Sequence, residues 1–88
     1  MPLQDQRQRI DQINQEIVDD VSERMDAVEK ILELKKDREL EIVDEDRERK
    51  VKEQFERLFS ERDLPEDKGR ELAEYLIELG TEYQEGNA

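Results

Sequence analysis

From about Leu3 to Arg38 the chain offers neither a glycine nor a proline, and its apolar residues keep helical time. Ile10, Ile13, Ile17, Val21, Val28 and Ile31 recur at steps of three, four and seven, the spacing of one face of an α-helix. About 36 residues at 1.5 Å each make a rod of roughly 54 Å. A compact monomer of 88 residues would have a radius of gyration near 12 Å, so a diameter of only about 30 Å. The remaining half of the chain is too short to cover such a rod, whose apolar stripe runs almost end to end. The pattern therefore predicts a two-fold homodimer in which two long helices pack together over a large, obligate interface.

Two shorter helices complete the expectation. The second opens in the acidic run "DEDRE", with Asp44 as N-cap and carboxylates in the first turn, where the helix dipole favours them. It carries Val51, Phe55, Leu58 and Phe59 on one face. The third opens at "DLPED", where Pro65 suits a first helical turn, and carries Leu72, Ala73, Leu76, Ile77 and Tyr83. Gly69 and Gly80 lie inside it, each at a cost of up to about 1 kcal/mol relative to alanine. The expected fold is all-α, a single domain over 1–88 with helices at about 3–38, 44–62 and 65–84. The short "LEIV" near Leu40 links the first two helices, and residues 85–88 form a frayed tail. Two such chains give an intertwined six-helix dimer.

Composition narrows the function. A third of the residues are apolar and nearly half are charged, with no Cys and no Trp. So small a chain has difficulty enclosing a core alone, and no disulfide is present to help. The net charge of −12 argues against nucleic acid and against anionic membranes, which both require a positive footprint. No apolar run reaches the length of a membrane span and no signal-peptide pattern opens the chain, which points to the cytoplasm. The apolar spacing is too regular for the acidity to mean disorder. We read the acidity as adaptation to high salt, as in a halophilic archaeon, where a dense carboxylate surface stays hydrated and self-repulsion is screened. Six lysines against nine arginines agree with that reading.

Polar residues then turn up where apolar ones belong. In "SERMDAVEKILELKK", Arg24 and Lys35 fall within roughly 20° of each other and of the stripe's centre at 100° per residue. Burying a charge costs several kcal/mol unless an opposite charge meets it. Asp44, Arg47 and Glu48 extend the second helix's stripe toward its start, Gln84 lies one turn beyond Gly80, and Arg7 sits at the margin of the first stripe. Singly, each has an ordinary explanation. Arg24 snorkels or pairs with Glu48, Lys35 favours a helix C-terminus, Asp44 is a cap, and "DEDRE" lacks the glycine and terminal glutamate of a calcium loop. Jointly, three arginines, a lysine, a glutamine and a glutamate describe a pocket for a small anion with more than one carboxylate. Arg7 is well over 20 Å from Arg24 along one helix. In an antiparallel dimer it approaches the partner's copy of that residue.

In order and spacing, these residues resemble the all-helical class of chorismate mutase over about residues 3–84. "RQRIDQINQEIVDDVSER" supplies Arg7 and Arg24, "ELKKDREL" supplies Lys35, and "IVDEDRERKV" supplies Asp44, Arg47 and Glu48. "LIELGTEYQ" supplies Gly80 and Gln84. Gly80 is a departure, since the family carries a serine there; a backbone group, Thr81 or water would have to replace its hydroxyl. The resemblance implies a monofunctional, cofactor-independent enzyme of the shikimate pathway that rearranges chorismate to prephenate, toward phenylalanine and tyrosine. It implies an intertwined homodimer with two pockets, each joining Arg7 of one chain to Arg24, Lys35, Asp44, Arg47, Glu48, Gly80 and Gln84 of the other.

The same resemblance implies a role for each residue. Arg7 and Arg24 clamp carboxylates. Lys35 and Gln84 donate to the ether oxygen, whose negative charge grows in the transition state. Glu48, with the backbone near Asp44, accepts the substrate hydroxyl, and Arg47 orients Glu48 or assists a carboxylate. No metal is implied, and a chain without His or Cys suits a pericyclic reaction that needs no nucleophile or proton shuttle. An isochorismate pyruvate-lyase or an amino-chorismate mutase would use a similar pocket. A non-enzymatic helical dimerisation module, its inward charges fixing register, is the alternative of a different class.

Overall fold

The structure, a computed structural model, describes residues 2–38 and 44–86, and side chains as far as Glu82. It is all-α: α1 runs Leu3–Asp37, α2 Glu45–Ser60 and α3 Glu66–Gly86, with no strand among the described residues. The helix ends differ from the sequence expectation by a residue or two, the usual uncertainty of a helix terminus, and Glu85 and Gly86, expected in the frayed tail, continue α3. The "LEIV" link and the last two residues of the tail lie outside the described residues. The chain divides into two compact units, Met1–Ile31 and Leu32–Ala88.

The first unit is a helix and nothing else. Pro2 starts it by offering its carbonyl to the Asp5 N–H at 3.1 Å, and Asp5 adds a carboxylate to the first turn. No residue from 2 to 31 is buried. Ile10 and Ile17 are each 54% exposed and Ile13 40%, so the stripe that predicts a core face is open to solvent over its first half. Toward its end Val21, Arg24, Met25 and Val28 become half-buried.

The second unit holds the core. Asp44 caps α2 from an extended backbone (φ −126°, ψ 96°), its Oδ1 accepting the Arg47 N–H at 3.0 Å. Leu32 at the end of α1, Val51 on α2, and Ala73 and Leu76 on α3 are buried, with Phe55, Leu58, Phe59 and Ile77 half-buried around them. Leu32 lies at the margin of the stripe that the sequence singled out, and Ile31, which is within it, is exposed.

Backbone hydrogen bonds make the α2–α3 connection tight. Leu64 N–H donates to the Phe59 carbonyl at 2.9 Å and Asp63 N–H to the Ser60 carbonyl at 3.1 Å, the paired bonds of a Schellman motif. Asp63 supplies the left-handed residue that the motif requires, at φ 58°. Pro65 then receives the Lys68 and Gly69 N–H groups and launches α3. Four residues into α3, Gly69 lets the two helices touch. A Cβ there would lie 2.6 Å from the Phe55 carbonyl oxygen and 2.8 Å from Phe59 Cγ. The glycine that weakens α3 as an isolated helix is what allows it to pack on α2. An ion pair from Arg70 to Glu56 at 3.1 Å also links the two helices, but at this exposure such a pair contributes less than about 1 kcal/mol.

Candidate active site

The candidate residues divide between the units. Arg7 and Arg24 belong to the first, where Arg7 is exposed and Arg24 half-buried. Lys35, Asp44, Arg47, Glu48, Gly80 and Gln84 belong to the second. Lys35 sits in the last turn of α1 and is half-buried, an unusual position for an ammonium in so small a fold.

The first turn of α2 positions the next three. Capping fixes Asp44, whose carboxylate is taken up by the Arg47 N–H and whose carbonyl accepts the Glu48 N–H at 3.0 Å. Asp44 and Arg47 are exposed, while Glu48 is half-buried. Helical geometry explains the difference: Glu48 lies within about 60° of Val51 and about 20° of Phe55, and Arg47 falls near the edge of that face. The cap thus holds Glu48 at the border between the apolar face of α2 and solvent, where its side chain is half-buried.

On α3, Gly80 is buried, on the same face as Gly69, Ala73 and Leu76. Gln84, one turn on, shares that face by position; its side chain lies outside the described residues. Thr81, the neighbour that sequence reasoning offered as a source of the missing hydroxyl, directs its Oγ1 proton to the Ile77 carbonyl at 3.1 Å. Its proton is engaged within its own helix, an arrangement common for threonine there. To donate to a ligand, Thr81 would have to abandon that bond.

No group of three or more Asp, Glu, His or Cys among the described residues is arranged to hold a metal ion, and no helix is long and apolar enough to cross a membrane. A shallow depression of about 360 Å³ lies along α1 at Asn14, Gln15, Val18 and Asp19. It includes none of the candidate residues, and its open, single-helix lining gives it no ligand chemistry.

Fold and residues together define an all-helical chain that carries half-buried cations, Arg24 and Lys35, on helix faces otherwise built of apolar residues. The family model described as chorismate mutase type II matches residues 6–85. The chain belongs to the chorismate mutase type II family, and the matched span contains all eight candidate residues, from Arg7 to Gln84. Searches among curated proteins and among solved structures returned no match.

Proposed function

We propose that this chain is a chorismate mutase that works as a homodimer, each site completed by Arg7 of the partner copy. The observation that carries the reading is the family match over residues 6–85, a span that includes Arg7, Arg24, Lys35, Arg47 and Glu48. The bare face at Ile10, Ile13 and Ile17 supports the pairing: three isoleucines in line on one helix are costly to leave in water, and a second copy of the same helix covers them.

The reaction asks for little chemistry and much geometry. One C–O bond of chorismate breaks while one C–C bond forms, within a single molecule and with no proton gained or lost. Arg7 and Arg24 bind the two carboxylates and hold the compact reactive conformer. Lys35 and Gln84 donate to the ether oxygen as it gains negative charge, an interaction stronger in the transition state than in the ground state. Glu48 and the backbone at Asp44 accept the substrate hydroxyl, and Arg47 steadies Glu48. A rate gain of 10⁶ needs about 8 kcal/mol, which a few fixed donors at about 3 kcal/mol each supply. Because an amide does not titrate, Gln84 remains a donor at neutral pH.

The dianionic substrate and the net charge of −12 are compatible if carboxylates lie on outer faces and cations line the site. Molar salt then screens the outer repulsion and leaves enclosed contacts less affected, in keeping with a salt-loving source. The test is loss of chorismate absorbance in molar salt, with the product identified. Prephenate is expected; salicylate and pyruvate from isochorismate, or no turnover at all, would overturn the assignment.

A further inference from the structure

We propose that residues 3–31 form a conditional helix whose pairing with a second copy is set by ionic strength, so that salt controls completion of the site. This rests on the reading that a second copy covers this face, and it adds what governs that covering.

Away from the isoleucines α1 carries a run of carboxylates, with Asp20, about 20° from Ile13 by helical geometry, at the border of the apolar face. Glu16, Asp19, Asp20, Glu23, Asp26 and Glu29 recur at steps of three and four, so each stands next to others on the helix surface. The neighbours are Glu16 with Asp19 and Asp20, Glu23 with Asp19, Asp20 and Asp26, and Asp26 with Glu29. Two attractive spacings oppose these six repulsive ones, Asp20 to Arg24 and Asp26 to Lys30. All six carboxylates are exposed except Glu29, which is half-buried. Each like-charge neighbour disfavours an isolated helix by a factor of roughly 1.4 to 2.

Two further attractive spacings, Asp5 to Arg9 and Arg7 to Asp11, lie before this run and leave its repulsion in place. The unit is a single helix with no buried residue, and most of a helix's stability normally comes from packing of its apolar face. The helix therefore depends on a second chain for its packing and on dissolved ions for relief of its charge. Pairing also brings together two chains of charge −12, which adds to the demand for screening. At low ionic strength, where the Debye length is about 30 Å, the repulsions act at full reach; in molar salt it shrinks to about 3 Å and they are largely removed.

The experiment uses the full chain at micromolar concentration in 10 mM and 2 M KCl, with mass read by sedimentation and helix content by circular dichroism. Three proteins are compared: the natural chain, a ladder variant (Glu16→Gln, Asp19→Asn, Glu23→Gln), and a control with the same charge change elsewhere (Glu53→Gln, Asp67→Asn, Glu78→Gln). The expected result is a natural chain that loses helix and falls to monomer at 10 mM, and a ladder variant that stays paired there. The ladder variant's dimer dissociation constant at low salt should be lower by on the order of tenfold or more. The control should resemble the natural chain more closely than the ladder variant does. A natural chain fully helical and dimeric at 10 mM overturns the proposal and leaves the pairing itself intact. An equal salt requirement in all three proteins also overturns it, because the salt would then act on the apolar face. A monomer at every salt concentration overturns this inference and the paired reading together, whereas a salt-dependent dimer without turnover overturns only the assigned reaction.

Discussion

Residues 3–31 of α1 and the α2–α3 pair carry the same kind of pattern and meet opposite fates. Both have apolar residues at helical spacing with charges on the other side. In α2 and α3 that face is covered within the chain, with Val51, Ala73 and Leu76 buried and Gly69 in close approach to Phe55 and Phe59. In α1 the same face is exposed at Ile10, Ile13 and Ile17 and half-buried at Val21 and Val28. An amphipathic stripe thus specifies that a face must be covered without specifying by what. Where the chain is too short to supply the cover, the stripe becomes a statement about association.

Variants can separate the two regions, and the largest effect is expected at Lys35. It lies in the second unit, yet the reading makes its ammonium useful only in a site that also draws on the first. Lys35→Ala should lower kcat by about 10² to 10³-fold through loss of one donor to the ether oxygen, with helix content unchanged. Turnover assays beside circular dichroism would check both halves, and a loss below tenfold would remove Lys35 from its assigned role.

A charge on the bare face comes next. Ile17→Asp should raise the dimer dissociation constant by at least about 10²-fold, as expected for an unpaired carboxylate in an apolar contact, and activity should fall with assembly. The matched change Leu72→Asp, at a residue 41% exposed on α3, should leave the mass in solution unaltered. Sedimentation of both variants distinguishes a face that is used from apolar surface that is merely exposed.

Smaller effects probe the covered region. Gly69→Ala removes the glycine penalty of about 1 kcal/mol but drives a methyl group against the Phe55 carbonyl and the Phe59 ring, where overpacking costs about 1 to 3 kcal/mol. A net loss of about 1 kcal/mol is expected in urea denaturation. A gain would mean that α2 and α3 do not approach so closely. Asp63→Gly has the opposite sign. At φ 58° glycine fits without strain, so stability should rise by about 0.5 to 1 kcal/mol, with no change in activity.

Much of this was legible in the residues, for reasons that also mark where legibility ended. The three helices arise from apolar spacing and from Pro65 and Asp44 as start signals, and Asp44 is indeed a cap. Leu32 stands at the margin of the stripe, one turn after Val28, where periodicity alone does not tell a buried residue from an exposed one. Gly69 looked like a pure cost, since close approach is a property of two helices and no single-helix pattern contains it. Asp63 gave little signal because glycine is the usual left-handed residue at a helix end and aspartate takes the place less often. Among the site residues, periodicity placed Glu48 and Lys35 on apolar faces, and both are half-buried. It said nothing of the Thr81 hydroxyl, whose bond to Ile77 is local and optional.

A mixing experiment tests most directly whether each site is built from two chains. Arg7→Ala and Lys35→Ala are each prepared as pure dimers of low activity, then combined, exchanged and assayed. In a mixed dimer one site receives Arg7 from the Lys35 variant and Lys35 from the Arg7 variant, so random exchange of equal amounts restores about a quarter of natural activity. Recovery near that level is the predicted result. If the mixture remains no more active than its two components after exchange has been verified, each site belongs to a single chain and the account is contradicted.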